Sequence, residues 1–265
     1  MPIPKLLSAL ESEPVEASLK CVCSCEEYAR EARLIQSSLL PTKGLCHESL
    51  EIAFRFIPFA EVGGDFADFF VLPDGFIGIY LGDVVGKGLP AAMYSALVMG
   101  ILRGIHKCGT DTARVLALLN ERLVQRPIPG RFCSTLYALF NPATGELIFS
   151  NAGMPLPLLA SQTQCRELGG GGLPSAMFPG ATYDRHIVQL APGECVLFAT
   201  DGMHELRNRQ EVEFCTAKMK DVWARCCRKT ATESVDVVFD RLLAFSEGCP
   251  PHDDITAVVL KVLPR

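Results

Sequence analysis

The spacing of hydrophobic and polar positions changes several times along the chain, and each change marks an element. Over residues 20–40, apolar side chains recur at Cys21, Cys25, Tyr28, Ala32, Ile35 and Leu39. That 4-3-4-3-4 pattern predicts a helix, ended by Pro41 and Gly44. A 3.5-residue average is the seam of paired helices, but a stretch this short serves equally for a helix lying along its own domain. Both readings stand. From residue 48 the period falls to two. "SLEIAFRFIP" alternates, and "DFFVLPDGFIGIYLGDV" reads as two strands about the turn Pro73-Asp74-Gly75. Helical spacing returns in "LPAAMYSALVMGILRGIHK", where Pro90 suits a first turn, and again at about 111–126. The strands "FCSTLYALF", "ELIFSNAG", "YDRHIVQL" and "ECVLFAT" follow, then two helices over about 211–247 and a closing strand "DITAVVLKVL".

Strand runs with frequent hairpin turns, interrupted by pairs of helices, predict an antiparallel α+β domain rather than a doubly wound sheet. Residues 1–44 read as a Pro-, Ser- and Glu-rich tail with a linker helix, and 45–265 as one domain with a full-sized core. Hydrophobic residues make up 49% and charged residues 21%, a globular composition. The formal net charge of −5, with no dense Lys/Arg cluster, argues against nucleic-acid binding. Apolar runs such as "YSALVMGIL" (94–102) are too short to span a bilayer. The start "MPIPKLLSALESEPVE" has no apolar signal region and turns acidic, so no membrane association and a cytoplasmic location are expected.

The 12 cysteines are scattered, and in a chain without a secretory signal they read as reduced, largely buried thiols rather than disulfides. Cys21, Cys23 and Cys25 resemble a metal cluster. On a helix, however, alternate side chains point about 200° apart and cannot converge.

The aspartates are more informative. Asp83 ends "FIGIYLGD", Asp201 ends "CVLFATD", Asp253 and Asp254 stand immediately before "ITAVVLKVL", and Asp65 sits in "AEVGGDFADFF". Taken alone, that last stretch is a turn, the opening of a GGDEF signature, or a metal-gripping carboxylate. Phe66 stands where GGDEF needs Glu, which removes the second reading. Carboxylates at the ends of apolar strands are costly unless paired, and four of them repel unless cations hold them together. Oxygen-only ligands favour Mg²⁺ or Mn²⁺. "GDVVGKG" is not a P-loop, because its glycines are too close and no Ser or Thr follows Lys87.

Five stretches then occur in one order: "VGGDFADFF" (62–70), "GDVVGKGLPAAM" (82–93), "STLYALFNPATGELIFSNAGMPLPLL" (134–159), "VLFATDGMHELRN" (196–208) and "DDITAVVLKV" (253–262). Together they resemble PPM-type (type 2C-like) protein serine/threonine phosphatases, in the bacterial branch of the sporulation stage II E phosphatase and the sigma-factor regulators. The resemblance covers about residues 45–265, and "EEYAREARLIQSSLLP" resembles the linker helix that joins such domains to sensors.

The resemblance implies an α-β-β-α sandwich of two antiparallel sheets with two Mn²⁺ or Mg²⁺ ions between them. It implies Asp83 as the bridging ligand, with the Val84 carbonyl beside it and Asp65, Asp201 and Asp253 completing the set. Asp65 and Asp83 are the implied catalytic pair. Asp68 and Asp254 fall behind that set, and Gly64 and Gly202 would let backbone pass close to the ions. The implied reaction is hydrolysis of phosphoserine or phosphothreonine by water activated between the two cations. The implied substrate is a phosphorylated anti-anti-sigma factor, and the linker helix implies a homodimer through residues 20–40.

Three positions depart from the pattern: Lys87 stands where relatives often have His, Met154 replaces the His of "AGH", and "LPSAMFPG" (173–180) replaces an "LPLGMFPD"-like stretch. The competing expectation is a pseudophosphatase that binds without turning over. It would be signalled by loss of a ligand carboxylate, and none is lost.

Overall fold

Turn signals in the sequence fall between elements that pair as two antiparallel sheets. The computed structural model describes residues 15–106, 111–161 and 164–264, with side chains described from residue 26 onward. Helix α1 (Val15–Leu39) leads to β1 (Leu45–His47) and β2 (Leu50–Ile57), then the hairpin of β3 (Phe66–Val71) and β4 (Ile77–Val84). Helices α2 (Gly88–Ile105) and α3 (Thr112–Val124) precede β5 (Cys133–Asn141), β6 (Glu146–Ala152), β7 (Leu158–Ala160), β8 (Cys165–Glu167), β9 (His186–Gln189) and β10 (Cys195–Ala199). Helices α4 (Asp201–Glu205), α5 (Cys215–Trp223) and α6 (Ala231–Ser246) follow, and β11 (Ile255–Val262) closes the fold.

One sheet runs β1-β2-β11-β10-β7-β8 and the other β3-β4-β5-β6-β9. Strand alternation feeds three apolar layers. In β10, Val196 and Phe198 enter the layer between the sheets, while Leu197 faces the helices. In β11, Val258 and Leu260 point one way, Ala257 and Val259 the other. All eight residues of β11 are therefore buried, which explains its unbroken apolar run: the sheet is covered on both faces. Helices α5 and α6 pack Trp223, Phe239 and Leu242 on one sheet. Helices α2 and α3 pack Val98, Leu102, Leu116 and Leu119 on the other, against Tyr80 and Tyr137. The Trp223 indole N–H donates to the Leu158 carbonyl at 2.8 Å, so this large ring is buried with its polar edge satisfied.

Helix α2 is the one described helix long and apolar enough to cross a membrane, and Ala91, Tyr94, Val98 and Leu102 bury its inner face in the domain. Among its described side chains, helix α1 docks on the domain through its C-terminal end. Gln36 is buried and Leu39 packs on the α2/α3 layer, while the Leu39 carbonyl accepts from Arg103 Nη2 at 2.6 Å. The seam is thereby divided. Leu39 is spent on the chain's own domain, but Tyr28 and Ile35 remain 68% and 63% exposed. The Cys21, Cys23 and Cys25 side chains lie outside the described residues, as does Cys108. The eight described cysteines are all free; Cys133, Cys195, Cys226 and Cys227 are buried, and Cys46 is exposed.

The α+β sandwich is as expected, and the deviations are short elements. Strands β1, β7 and β8 have three residues each, too few for a period to register. "YDRHIVQL" contracts to His186–Gln189. Asp201 opens the short helix α4 rather than ending a strand.

Candidate active site

The acidic residues gather where the two sheets meet at one end. Asp65 precedes β3 and Asp83 lies in β4, in one sheet; Asp201 follows β10 and Asp253 precedes β11, in the other. Asp65 is 1% exposed, and its Oδ2 accepts from the Thr200 hydroxyl at 2.8 Å and the Thr256 hydroxyl at 2.5 Å. Those threonines flank the ends of β10 and β11, so Asp65 ties one sheet to the other.

Burial pushes the Asp65 carboxyl well up, and the charges of Asp83 and Asp254 push it further, against the two threonine hydroxyls. Asp83 is raised to about 7, by burial first and then by Asp201 and Asp253, while a hydrogen bond with Asp65 opposes the rise. Asp201 is also raised, by loss of surrounding water and by Asp253, with the Gly202 N–H and Lys87 acting the other way. Carboxyls that raise one another in this manner have a shortage of positive charge. Divalent cations on an all-oxygen donor set would supply it. Among the described residues no three His, Cys, Asp or Glu groups already form a closed metal cage, so ions would have to draw these side chains together.

Asp254 serves the backbone instead. Almost fully buried, it accepts from the N–H groups of Phe59 at 2.7 Å, Gly64 at 2.5 Å and Asp65 at 3.3 Å, holding the loop that presents Asp65. A Cβ at Gly64 would stand 2.8 Å from the Val84 carbonyl oxygen and 3.5 Å from Asp83 Oδ1; one at Gly202 would stand 1.9 Å from the Asp254 carbonyl. Only glycine permits these approaches. Asp68 is removed from the acidic end: it accepts from Arg103 at 2.8 Å and from the Tyr80 hydroxyl at 3.0 Å.

Sequence reasoning missed Thr200 and Thr256, Gln36, and the use of Arg131, whose guanidinium donates to the Val85 carbonyl beside Val84. Motif spacing gives no signal for hydroxyls that act across a sheet gap. The departures also acquire positions. Met154 is buried in the inter-sheet layer, its N–H donating to Asn151 Oδ1 at 2.8 Å, so it does not face the carboxylates. Ala176 holds φ of 71°, a left-handed backbone angle at the position where the related motif has Gly. Lys87 reaches Asp253, with Nζ 3.3 Å from Oδ2.

The sequence model of the family described as Stage II sporulation protein E (SpoIIE) matches residues 73–263, most of the chain. The chain belongs to the SpoIIE family. In sequence it is 27% identical over 257 residues to Protein IcfG of Synechocystis, covering 86% of this chain and 40% of that protein. It is 27% identical over 229 residues to Phosphoserine phosphatase RsbU of Bacillus subtilis, covering 86% of this chain and 68% of RsbU. The chain thus spans well under half of the first relative and about two thirds of the second. In fold it matches the SiaA-PP2C domain of Pseudomonas aeruginosa, with TM-score 0.79 at 22% identity over 94% of this chain and 99% of that one. It also matches the PP2C phosphatase domain of SpoIIE from Bacillus subtilis, with TM-score 0.71 at 18% identity over 83% of this chain and 64% of that one.

Proposed function

We propose that this SpoIIE-family domain is a metal-dependent protein serine/threonine phosphatase. The observation that carries the reading is the meeting of carboxylates from both sheets at one end of the sandwich, Asp65 and Asp83 from one side and Asp201 and Asp253 from the other. Asp83 and the Val84 carbonyl, with Asp65, Asp201 and Asp253, would hold two Mn²⁺ or Mg²⁺ ions. When bound, the ions supply charge neutralisation for a phosphoryl dianion and activation of water at neutral pH. The chain's own residues set the geometry. Thr200 and Thr256 fix Asp65 across the gap, and Asp254 fixes the loop behind it. Asp83, raised in the metal-free site by burial and then by Asp201 and Asp253, would hold a cation as its carboxylate. Glycine at position 64 leaves clear the space beside the Val84 carbonyl that a Cβ there would take.

The substrate that fits this reading is a phosphoserine or phosphothreonine on a protein, and the family branch favours an anti-anti-sigma-type regulator. The cytoplasm is the setting that goes with it. A homodimer through α1 is supported by the exposed Tyr28 and Ile35. The test is hydrolysis of p-nitrophenyl phosphate and of phosphoserine, phosphothreonine and phosphotyrosine peptides, with Mn²⁺, with Mg²⁺ and with chelator. Metal-dependent turnover of the first two peptides that is lost in Asp83→Asn is expected. No turnover under any metal condition would leave a binding module in its place.

A further inference from the structure

Lys87 is the residue that precedes α2 and reaches back over the acidic end of the sandwich. Its ammonium lies 3.3 Å from Asp253 Oδ2, donates to the His252 carbonyl, and stands 4.7 Å from the centre of the Phe59 ring. Its charge also reaches Asp201, opposing the rise of that carboxyl. Asp201 and Asp253 both belong to the six-stranded-sheet side of the gap. Asp65, on the other side, is served by the hydroxyls of Thr200 and Thr256.

An ammonium and a divalent cation cannot both hold the same face of one carboxylate. Lys87 has two further acceptors, a backbone carbonyl and an aromatic face, and neither depends on Asp253. Loss of the carboxylate therefore does not strand the charge; it leaves the ammonium at the mouth of the site with an unfilled demand for an anion. We infer that Lys87 is an internal competitor for the divalent cation at Asp201 and Asp253, and that the same ammonium, once Asp253 is taken, becomes a counter-charge for the phosphoryl group of the substrate. The inference rests on the phosphatase reading above. It makes Lys87 a substrate-binding residue that couples the two binding events: metal frees the lysine, and a phosphate on the lysine keeps it from returning to Asp253. Such coupling is reciprocal, so phosphate must raise metal affinity by the factor by which metal raises phosphate affinity.

The experiment is direct titration of the whole chain with Mn²⁺, reading free ion by its electron paramagnetic resonance signal, with and without inorganic phosphate. Lys87→Met keeps the aliphatic stem over Phe59 and removes the charge; Lys87→Arg keeps the charge; Lys87→Gln is a second neutral variant. Thermal melts establish that each is folded. Lys87→Met and Lys87→Gln are expected to bind Mn²⁺ about three- to fivefold more tightly than wild type, the scale of a partly exposed ion pair. Phosphate is expected to tighten Mn²⁺ binding in wild type and Lys87→Arg but not in the neutral variants, whose KM for a phosphoserine peptide rises. Neutral variants that bind Mn²⁺ no more tightly than wild type, or that keep the full phosphate effect, overturn the inference while leaving the phosphatase reading intact. A wild-type chain that takes up no Mn²⁺ overturns both.

Discussion

Gln36 closes a two-point hydrogen bond on the backbone of Gly63: its amide nitrogen donates to the Gly63 carbonyl at 2.6 Å, and its amide oxygen accepts from the Gly63 N–H at 3.1 Å. The pair is buried, and Gly63 adjoins the Gly64–Asp65 segment that Asp254 holds from the other side. Helix α1 therefore grips the loop that presents Asp65. Gln36→Leu leaves both Gly63 groups buried without partners, at about 1–3 kcal/mol. A lower thermal midpoint together with weaker Mn²⁺ affinity is expected. If calorimetry and metal titration both match wild type, α1 does not support the loop.

Asp83 gives a pH dependence with a definite sign. An unfolded aspartate loses its proton near its ordinary value of 3.8, whereas in the fold Asp83 keeps it to about 7. The native state holds the extra proton between those values, so metal-free stability falls as pH rises through that window. In chelator, wild type is expected to be more stable at about pH 5 than at about pH 8, with a difference on the order of 1–2 kcal/mol. Asp83→Asn should flatten that slope, raise metal-free stability at neutral pH and abolish turnover. Urea titrations across pH decide it; a wild-type slope of the opposite sign contradicts the arrangement.

Ala176 carries the strain of a left-handed angle at φ 71° while its N–H donates to Asn120 Oδ1 at 2.8 Å. Ala176→Gly keeps the hydrogen bond and relieves the Cβ, against some extra freedom in the unfolded chain. A net gain of about 0.5–1 kcal/mol is expected, measured as a higher denaturant midpoint at unchanged slope. A destabilised variant would show that the Ala176 methyl packs more than it strains.

Among the described seam residues, Tyr28 and Ile35 are exposed, whereas Leu39 is committed to the domain. Replacing Tyr28 and Ile35 together with Glu leaves the docked end intact and charges the open face. Light scattering is expected to report a dimer for wild type and a folded monomer for the variant. A wild-type chain already monomeric at micromolar concentration removes the dimer.

What was legible in the sequence followed from period and chemistry. The alternation of "SLEIAFRFIP" gave β2, and the turn Pro73-Asp74-Gly75 gave the β3–β4 hairpin. The aspartates were found because charge at the end of an apolar run violates its surroundings. The three backbone partners of Asp254 could not be read, since they lie about 190 residues away. The same holds for Thr200, just past the end of β10, and Thr256 in β11, ordinary threonines until the other sheet brings Asp65 to them. Met154 stood out as a departure from the motif, but order along the chain does not say which way a side chain faces after Gly153, and it packs in the core. Lys87 stood out only as a departure. Its reach to Asp253 spans 166 positions of chain.

The division of the carboxylates, two from each sheet, has a kinetic consequence. Neither sheet alone carries all of the donors, and both hydroxyls that bond Asp65 come from the strand ends of the other sheet. Those contacts join residues distant in sequence, which form late because loop closure precedes them. A refolding chain would therefore acquire the proposed cation site in the same step that docks the sheets, and ion uptake during refolding would serve as a clock for that closure, not for the formation of either sheet.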